Sequence, residues 1–149
     1  LLVWKDQVLK RILIDTSALY ALEDKADQHH RAAIEFYRKC RHGNARIITT
    51  NFILAETYGL TLIRLGRAQA IKLLSALRRG ATEIVRVTED DETRAESILA
   101  KYQDQDFSYV DATTFAIVER LEIHRTFAFD RHFHLVRVRN TTFSVNRYP

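Results

Sequence analysis

The sequence predicts an α/β domain in which a parallel sheet is covered by helices on both faces. Short apolar runs of strand length alternate with longer stretches of helical periodicity, and this alternation is typical of parallel sheets. Apolar residues make up 46% of the 149 residues, with only 4 glycines and 1 proline, which favours a compact, helix-rich domain. Because repeats, linkers and low-complexity segments are missing, residues 1–149 are expected to form one domain with its core in residues 11–139.

The strands are predicted from apolar runs that are too short for helices and that end at polar or turn residues. The first run is continuous, as expected for a strand buried on both faces, and it stops at Asp15. The fourth run stops at Asp130 in the same way. The five predicted strands are residues 12–14, 45–50, 84–87, 126–129 and 135–138.

Three polar caps and a glycine define the first four helices. A short helix follows Asp15, and Asp27 is the expected N-cap of a helix of about 13 residues. Thr50 or Asn51 caps the helix after the second strand, which ends at Gly66 and is followed by a second amphipathic helix. Such a helix pair is expected to pack antiparallel and to supply a dimer interface if its apolar faces exceed what the core covers.

Two capping boxes open the last two helices. Thr88 is followed three residues later by Asp91, and Ser108 is followed three residues later by Asp111, the spacing at which the side chains cap each other's backbone. The helix after Ser108 is apolar almost all round, so it is expected to be central.

The composition excludes several classes of protein. No apolar stretch approaches the length of a membrane span, and the first residues lack the features of a secretory signal. The single cysteine, Cys40, permits no internal disulfide and fits a reducing cytoplasm. The charge of +4, from 23 basic and 19 acidic residues, is compatible with a polyanionic partner, although ordinary surface charge explains it more simply.

Four carboxylates are predicted at one edge of the sheet. Asp15 and Asp130 follow strands, Glu56 lies early in the helix after the second strand, and Asp111 begins the last helix. Ligands of parallel sheets bind beyond the carboxyl ends of the strands, so these acids should lie close together. Crowded carboxylates repel one another unless cations intervene, and Mg²⁺ or Mn²⁺ takes carboxylate oxygens. The arrangement predicts metal-assisted phosphodiester hydrolysis.

Each acid also has a structural explanation. Asp15 caps the following helix, and Asp111 completes the Ser108 capping box. Glu56 fits a solvated helix position, and Asp130 fits a surface ion pair with its neighbour. The joint placement at one edge favours the site, since unrelated structural acids would not all fall there.

The segments that contain these acids form a recognisable series. They are Asp15-Thr-Ser-Ala-Leu-Tyr-Ala-Leu, Thr49-Thr-Asn-Phe-Ile-Leu-Ala-Glu56-Thr, Phe107-Ser-Tyr-Val-Asp111-Ala and Phe127-Ala-Phe-Asp130-Arg-His-Phe. In this order, over residues 12–138, the chain resembles the PIN domain family and specifically its VapC-type toxin ribonucleases. The resemblance implies a Rossmann-like three-layer α/β/α sandwich with a mainly parallel sheet.

The resemblance also implies an activity and partners. It implies an endoribonuclease that cuts RNA and uses Mg²⁺ or Mn²⁺ held by Asp15, Glu56, Asp111 and Asp130. It further implies that the protein is a cytoplasmic homodimer with no membrane association. A small antitoxin protein is expected to neutralise it.

One position departs from the family pattern. Members often carry Thr or Ser two residues before the fourth acid, where this chain has Ala128, so a hydroxyl that supports metal-bound water is missing. The remaining hydroxyls that could support the site are Thr16, Ser17 and Ser108. The candidates for substrate contact are Arg131 and His132.

Three alternatives stay open on the sequence. An RNA-processing nuclease outside a toxin–antitoxin pair would carry the same acids, and a non-catalytic module could bind RNA or protein on the same fold. An aspartyl-phosphate phosphatase also places a carboxylate after the first strand, but it needs a second Asp two residues on, where this chain has Ser17.

Overall fold

A four-stranded parallel sheet forms the centre of the protein in the computed structural model, which describes residues 11–129. Its strands are β1 (Arg11–Ile14), β2 (Arg46–Thr50), β3 (Glu83–Val85) and β4 (Arg125–Phe127). The strand order is β3-β2-β1-β4. Strands β2 and β3 therefore lie on one side of β1, and β4 lies on the other side. The predicted class, a parallel α/β sandwich, is confirmed.

Six helices connect these strands within the described residues. They are α1 (Thr16–Glu23), α2 (His30–His42), α3 (Asn51–Leu65), α4 (Arg67–Arg79), α5 (Glu89–Lys101) and α6 (Tyr109–Arg120). No helix within residues 11–129 combines the length and the apolar character needed to cross a bilayer.

The register of the sheet divides its side chains between two faces. Ile12 pairs with Ile47, and Ile14 pairs with Phe127. Since alternate residues of a strand point to opposite faces, these side chains share one face, on which α1, α2 and α4 enclose an apolar cavity of about 270 Å³ beside Ile14 and Ile47. Right-handed crossovers place α5 and α6, which lead from β3 back to β4, on the other face. The result is a three-layer α/β/α sandwich.

Helix α6 contains the longest continuous run of buried residues in the described chain. Every residue from 112 to 118 is buried, and Phe115, Ile117 and Val118 are 0% exposed. The apolar character of this helix in the sequence correctly predicted its central position. Cys40 is also buried, at 7% exposure, as expected of a small core residue.

The predicted capping residues are confirmed in four cases and wrong in one. Thr50, Thr88 and Ser108 accept hydrogen bonds from the backbone N–H groups of the first turns they open, and Asp15 does the same for α1. Asp27 does not cap α2. Its carboxylate accepts a hydrogen bond from the N–H of His29 at 2.7 Å and closes a turn, so α2 begins only at His30.

The starts of all four strands differ from the prediction by one residue, and the carboxyl ends of two strands differ by two residues. Strand β3 ends at residue 85 rather than 87, because the N–H of Val87 donates to the side chain of Asn51 at 2.8 Å instead of to a neighbouring strand. Strand β4 spans residues 125–127 rather than 126–129, because the N–H of Phe129 donates to the Ser17 hydroxyl. The predicted fifth strand, residues 135–138, lies outside the described residues.

Candidate active site

Asp15 is held rigidly at the carboxyl end of β1. Its side chain is 5% exposed, and its Oδ1 accepts hydrogen bonds from the Ser17 hydroxyl at 2.8 Å and from the N–H of Ala18 at 3.1 Å. Its own N–H donates to the carbonyl of Phe127 at the end of β4, at 3.1 Å. The N-cap role that the sequence offered as an alternative is therefore real, and it fixes the carboxylate between the ends of β1 and β4.

Ser17 extends this network to the chain that leads to the fourth acid. Its hydroxyl accepts a hydrogen bond from the N–H of Phe129 at 2.8 Å while it donates to Asp15. Phe129 is also held through its ring, which stacks on the imidazole of His29 with centroids 4.3 Å apart and planes 5° from parallel. The residue immediately before Asp130 is thus anchored on two sides.

Asp111 lies at the start of α6 and completes the predicted capping box. Its Oδ2 accepts from the N–H of Ser108 at 3.1 Å, and its N–H donates to the Ser108 hydroxyl at 2.9 Å. The carboxylate is half-buried. Ser108 therefore positions Asp111 directly, whereas Thr16, also half-buried, is the first residue of α1 beside Asp15.

Glu56 lies in the second turn of α3 and is exposed. Helix α3 begins directly after β2, where the Thr50 hydroxyl accepts from the N–H of Ile53 at 3.0 Å. The first turns of α3 and α6 meet through the rings of Phe52 and Tyr109, whose centroids are 6.1 Å apart. This contact places the helices that carry Glu56 and Asp111 at the same edge of the sheet as Asp15.

The fourth acid and both substrate-contact candidates lie outside the described residues: Asp130, Arg131 and His132. Ala128, which stands where relatives often carry a hydroxyl, is 0% exposed. It packs against Ile98, Phe107, Phe115 and Ala116 in a small apolar cluster. An alanine at this position therefore belongs to the core.

The donor set at this edge suits a hard divalent cation. Its groups are carboxylates, the ligands that Mg²⁺ and Mn²⁺ prefer. Within residues 11–129, no three or more His, Cys, Asp or Glu side chains form a group that could hold a metal ion. The structure therefore does not bring Asp15, Glu56 and Asp111 together as one ion-binding group, and the convergence of all four acids stays a prediction.

An ion pair between buried Asp91 and the Arg120 side chain, which is 40% exposed, joins α6 to α5. Arg120 donates to both carboxylate oxygens of Asp91, at 2.7 and 2.9 Å, and Asp91 is 2% exposed. Burial alone would raise the pKa of Asp91, but hydrogen bonds from Arg120 and Thr88 outweigh it and lower that pKa below its usual value. The pair fixes the helix that presents Asp111, a role that the sequence did not reveal because the two residues belong to different helices.

The comparison with known proteins covers the part of the chain that contains these acids. The family model that matches the chain is the PIN domain, over residues 12–138. The chain belongs to the PIN domain family.

Proteins similar to this PIN domain are toxins and ribonucleases of Mycobacterium tuberculosis. The chain is 30% identical over 122 residues to the 23S rRNA-specific endonuclease VapC20 of strain H37Rv, covering 82% of this chain and 91% of that protein. It is 30% identical over 128 residues to the ribonuclease VapC26, covering 85% of this chain and 92% of that protein. The crystal structure of VapC20, described as a sarcin–ricin loop cleaving toxin, superposes with a TM-score of 0.79 at 28% identity and covers 87% of this chain and 98% of that chain.

Proposed function

We propose that this PIN domain is a metal-dependent endoribonuclease that hydrolyses phosphodiester bonds in RNA and is the toxin of a cytoplasmic toxin–antitoxin pair. The observation that carries the proposal is the buried Asp15 carboxylate, fixed between the ends of β1 and β4 beside the helices that present Glu56 and Asp111. The likeness to VapC20 and VapC26 over most of each chain supports it.

In the proposed mechanism, Asp15 and Asp111 would hold the principal Mg²⁺ or Mn²⁺. Glu56 would share that ion or orient the attacking water, and Asp130 would complete the cluster or hold a second ion. When bound, such an ion lowers the pKa of water and neutralises the leaving oxygen. Ser17 and Ser108 keep the carboxylates of Asp15 and Asp111 in place through the hydrogen bonds described above.

The exposed face of α2 supplies cations for the RNA backbone. Arg31, Arg38 and Arg41 are exposed, and none of them forms a salt bridge within the described chain. The only acid of α2, Glu35, pairs with Lys39 at 3.3 Å. We refer to Arg31, Arg38 and Arg41 as the cationic face.

The cationic face is connected to the candidate site. The stack of His29 on Phe129 places the start of α2 next to the chain that leads to Asp130. Arg31 and Arg38 are seven positions apart, or roughly 10 Å along a helix. This separation lets them contact phosphates of one RNA strand that extends away from the site.

The helix pair α3–α4 supports the proposed homodimer. Leu62, Ile63 and Ile71 on these helices are exposed, and Ile63 is 83% exposed. Exposed large apolar side chains favour burial against a partner, and a second copy of the chain is the partner proposed here. The small antitoxin protein is a separate partner of the proposed pair.

Cleavage of 23S rRNA is the direct test, because this is the substrate in the name of VapC20. The full chain is incubated with ribosomes and with protein-free rRNA, with Mg²⁺, with Mn²⁺ and with a chelator. Metal-dependent cleavage that Asp15→Asn abolishes, and that the exposed control Asp104→Asn retains, supports the proposal. Absence of cleavage on every RNA tested with either metal contradicts it.

A second experiment separates a toxin from a processing nuclease. The gene is expressed under an inducible promoter with and without its neighbouring upstream reading frame. Growth arrest that the upstream product relieves, and that requires Asp15, supports the toxin role. Active cleavage without growth arrest favours the processing nuclease.

A further inference from the structure

Two aromatic side chains meet at the edge of the sheet where the acids lie. Phe52 is in the first turn of α3, one turn before Glu56, and Tyr109 is the first residue of α6, two residues before Asp111. Their ring planes are tilted by 43° at a centroid separation of 6.1 Å. Phe52 is half-buried, whereas Tyr109 is 41% exposed, so an aromatic face is open to solvent beside the candidate site.

The Tyr109 ring is held in place. Its hydroxyl donates a hydrogen bond to Glu92 Oε1 at 2.8 Å, while Phe52 supports it from the side. A ring that is already ordered loses little conformational entropy when a planar group stacks on it. The arrangement therefore favours a flat aromatic ligand.

The charge around the pair selects a nucleobase over a phosphate. The first turn of α5 carries Glu89, Asp90 and Glu92, of which Glu92 contacts Tyr109, and this negative charge opposes an RNA phosphate. A nucleobase is uncharged and stacks on aromatic rings whatever its identity. The backbone of the same strand would be held elsewhere, on the cationic face.

We propose that Phe52 and Tyr109 form a stacking platform for an unpaired nucleobase of the RNA substrate. This proposal rests on the proposed ribonuclease function. It adds a contact with a base of the RNA to the contacts with its phosphates. The platform would favour single-stranded or looped RNA, because a paired base cannot leave its helix without losing its partner.

The test compares a short oligouridylate with an abasic ribose-phosphate chain of the same length. Affinities of the full chain are measured by fluorescence anisotropy in a chelator, so that no cleavage occurs. The acidic residues repel the phosphates of both ligands equally. The ratio of the two affinities therefore measures the contribution of base stacking. The variants are Tyr109→Leu, which removes the ring, Tyr109→Phe, which removes only the hydroxyl, and Glu92→Gln, which keeps an acceptor for that hydroxyl.

Tyr109→Leu is expected to weaken binding of the oligouridylate about tenfold and to leave the abasic chain unchanged. Tyr109→Phe and Glu92→Gln are expected to stay within about twofold of the unmodified protein. If Tyr109→Leu loses the same affinity for both ligands, or loses none for either, the platform proposal is wrong and the nuclease proposal is unaffected. If the unmodified protein binds neither ligand and cuts no RNA, both proposals fail.

Discussion

The N–H of Phe129 donates a hydrogen bond to the Ser17 hydroxyl at 2.8 Å, and the same hydroxyl donates to Asp15 Oδ1. One small side chain therefore couples the first acid of the candidate site to the chain that carries the fourth. Because Ser17 lies in α1 and Phe129 follows β4, the bond fixes the relative position of two segments far apart in sequence.

Removing this hydroxyl should reduce catalysis more than stability. Ser17→Ala leaves the N–H of Phe129 without its acceptor, a loss of about 1 kcal/mol in unfolding free energy. Misplacement of a metal-binding carboxylate is expected to lower kcat/KM about tenfold to a hundredfold. Ser17→Thr keeps the hydroxyl and serves as the control. Full activity of Ser17→Ala would show that Asp15 and Asp130 need no such link.

Replacement of Asp15 by asparagine separates the two roles of this side chain, which are to supply a negative charge and to cap α1. Asparagine retains an oxygen that accepts from the N–H of Ala18, so Asp15→Asn should keep the fold, with a stability change of about 1 kcal/mol or less. Loss of the negative charge should abolish cleavage and weaken Mn²⁺ binding. Calorimetric titration with Mn²⁺ measures the second effect, and Asp104→Asn is the matched surface control. Retained cleavage in Asp15→Asn would reject the assignment of this acid.

The Asp91–Arg120 pair should make stability dependent on acid pH. The folded-state pKa of Asp91 is lowered by hydrogen bonds from Arg120 and Thr88 in spite of burial. A lowered carboxyl pKa contributes stability that is fully present above the unfolded value of about 3.9 and is lost as pH falls through the folded value. Asp91→Asn should therefore show a smaller loss of melting temperature on acidification below about pH 4.

The control for this measurement is Asp90→Asn, because Asp90 is exposed in the same helical turn. At neutral pH, Asp91→Ala should cost about 2 kcal/mol in unfolding free energy, since it removes both the partner of Arg120 and the carboxylate that accepts from the N–H of Thr88. Identical acid melting curves for the unmodified protein and Asp91→Asn would contradict the proposed pH dependence.

The cationic face should govern the salt dependence of RNA binding. Double replacement, Arg31→Gln with Arg38→Gln, leaves up to two RNA phosphates without a cationic partner. The slope of log affinity against log salt should fall by about 0.7 for each phosphate that is no longer neutralised. Arg94→Gln is the control, because Arg94 pairs with Glu119 at 3.1 Å on another helix. An unchanged slope would place the RNA on a different surface.

The exposed apolar side chains of α3 and α4 should control self-association. Ile63→Asp places a charge at the most exposed of them, 83% accessible, and is expected to shift a dimer to monomer. Analytical ultracentrifugation measures the mass directly. Ala100→Asp, at an exposed position of α5, is the control. A monomeric unmodified protein, or a dimer unaffected by Ile63→Asp, would refute this interface.

Sequence alone determined the features of this protein that depend on near neighbours in the chain. The end of β1 at Asp15 and the capping boxes of Thr88 and Ser108 follow from apolar runs and from i, i+3 hydrogen bonding, both of which are local. The failure at Asp27 is also instructive. An Asp side chain can accept a local hydrogen bond either as a helix cap or in a turn, and Asp27 accepts one in a turn.

The tertiary structure decided which distant residues meet. The contacts of Ser17 with Phe129 and of Phe52 with Tyr109 join different elements, and no periodicity in the chain encodes which side chains face each other across such a gap. The sequence predicted that several acids share one edge, because parallel strands end together. Only the folded chain shows how Asp15 is linked to Phe129 through Ser17, since such contacts depend on distances that arise when the helices pack on the sheet.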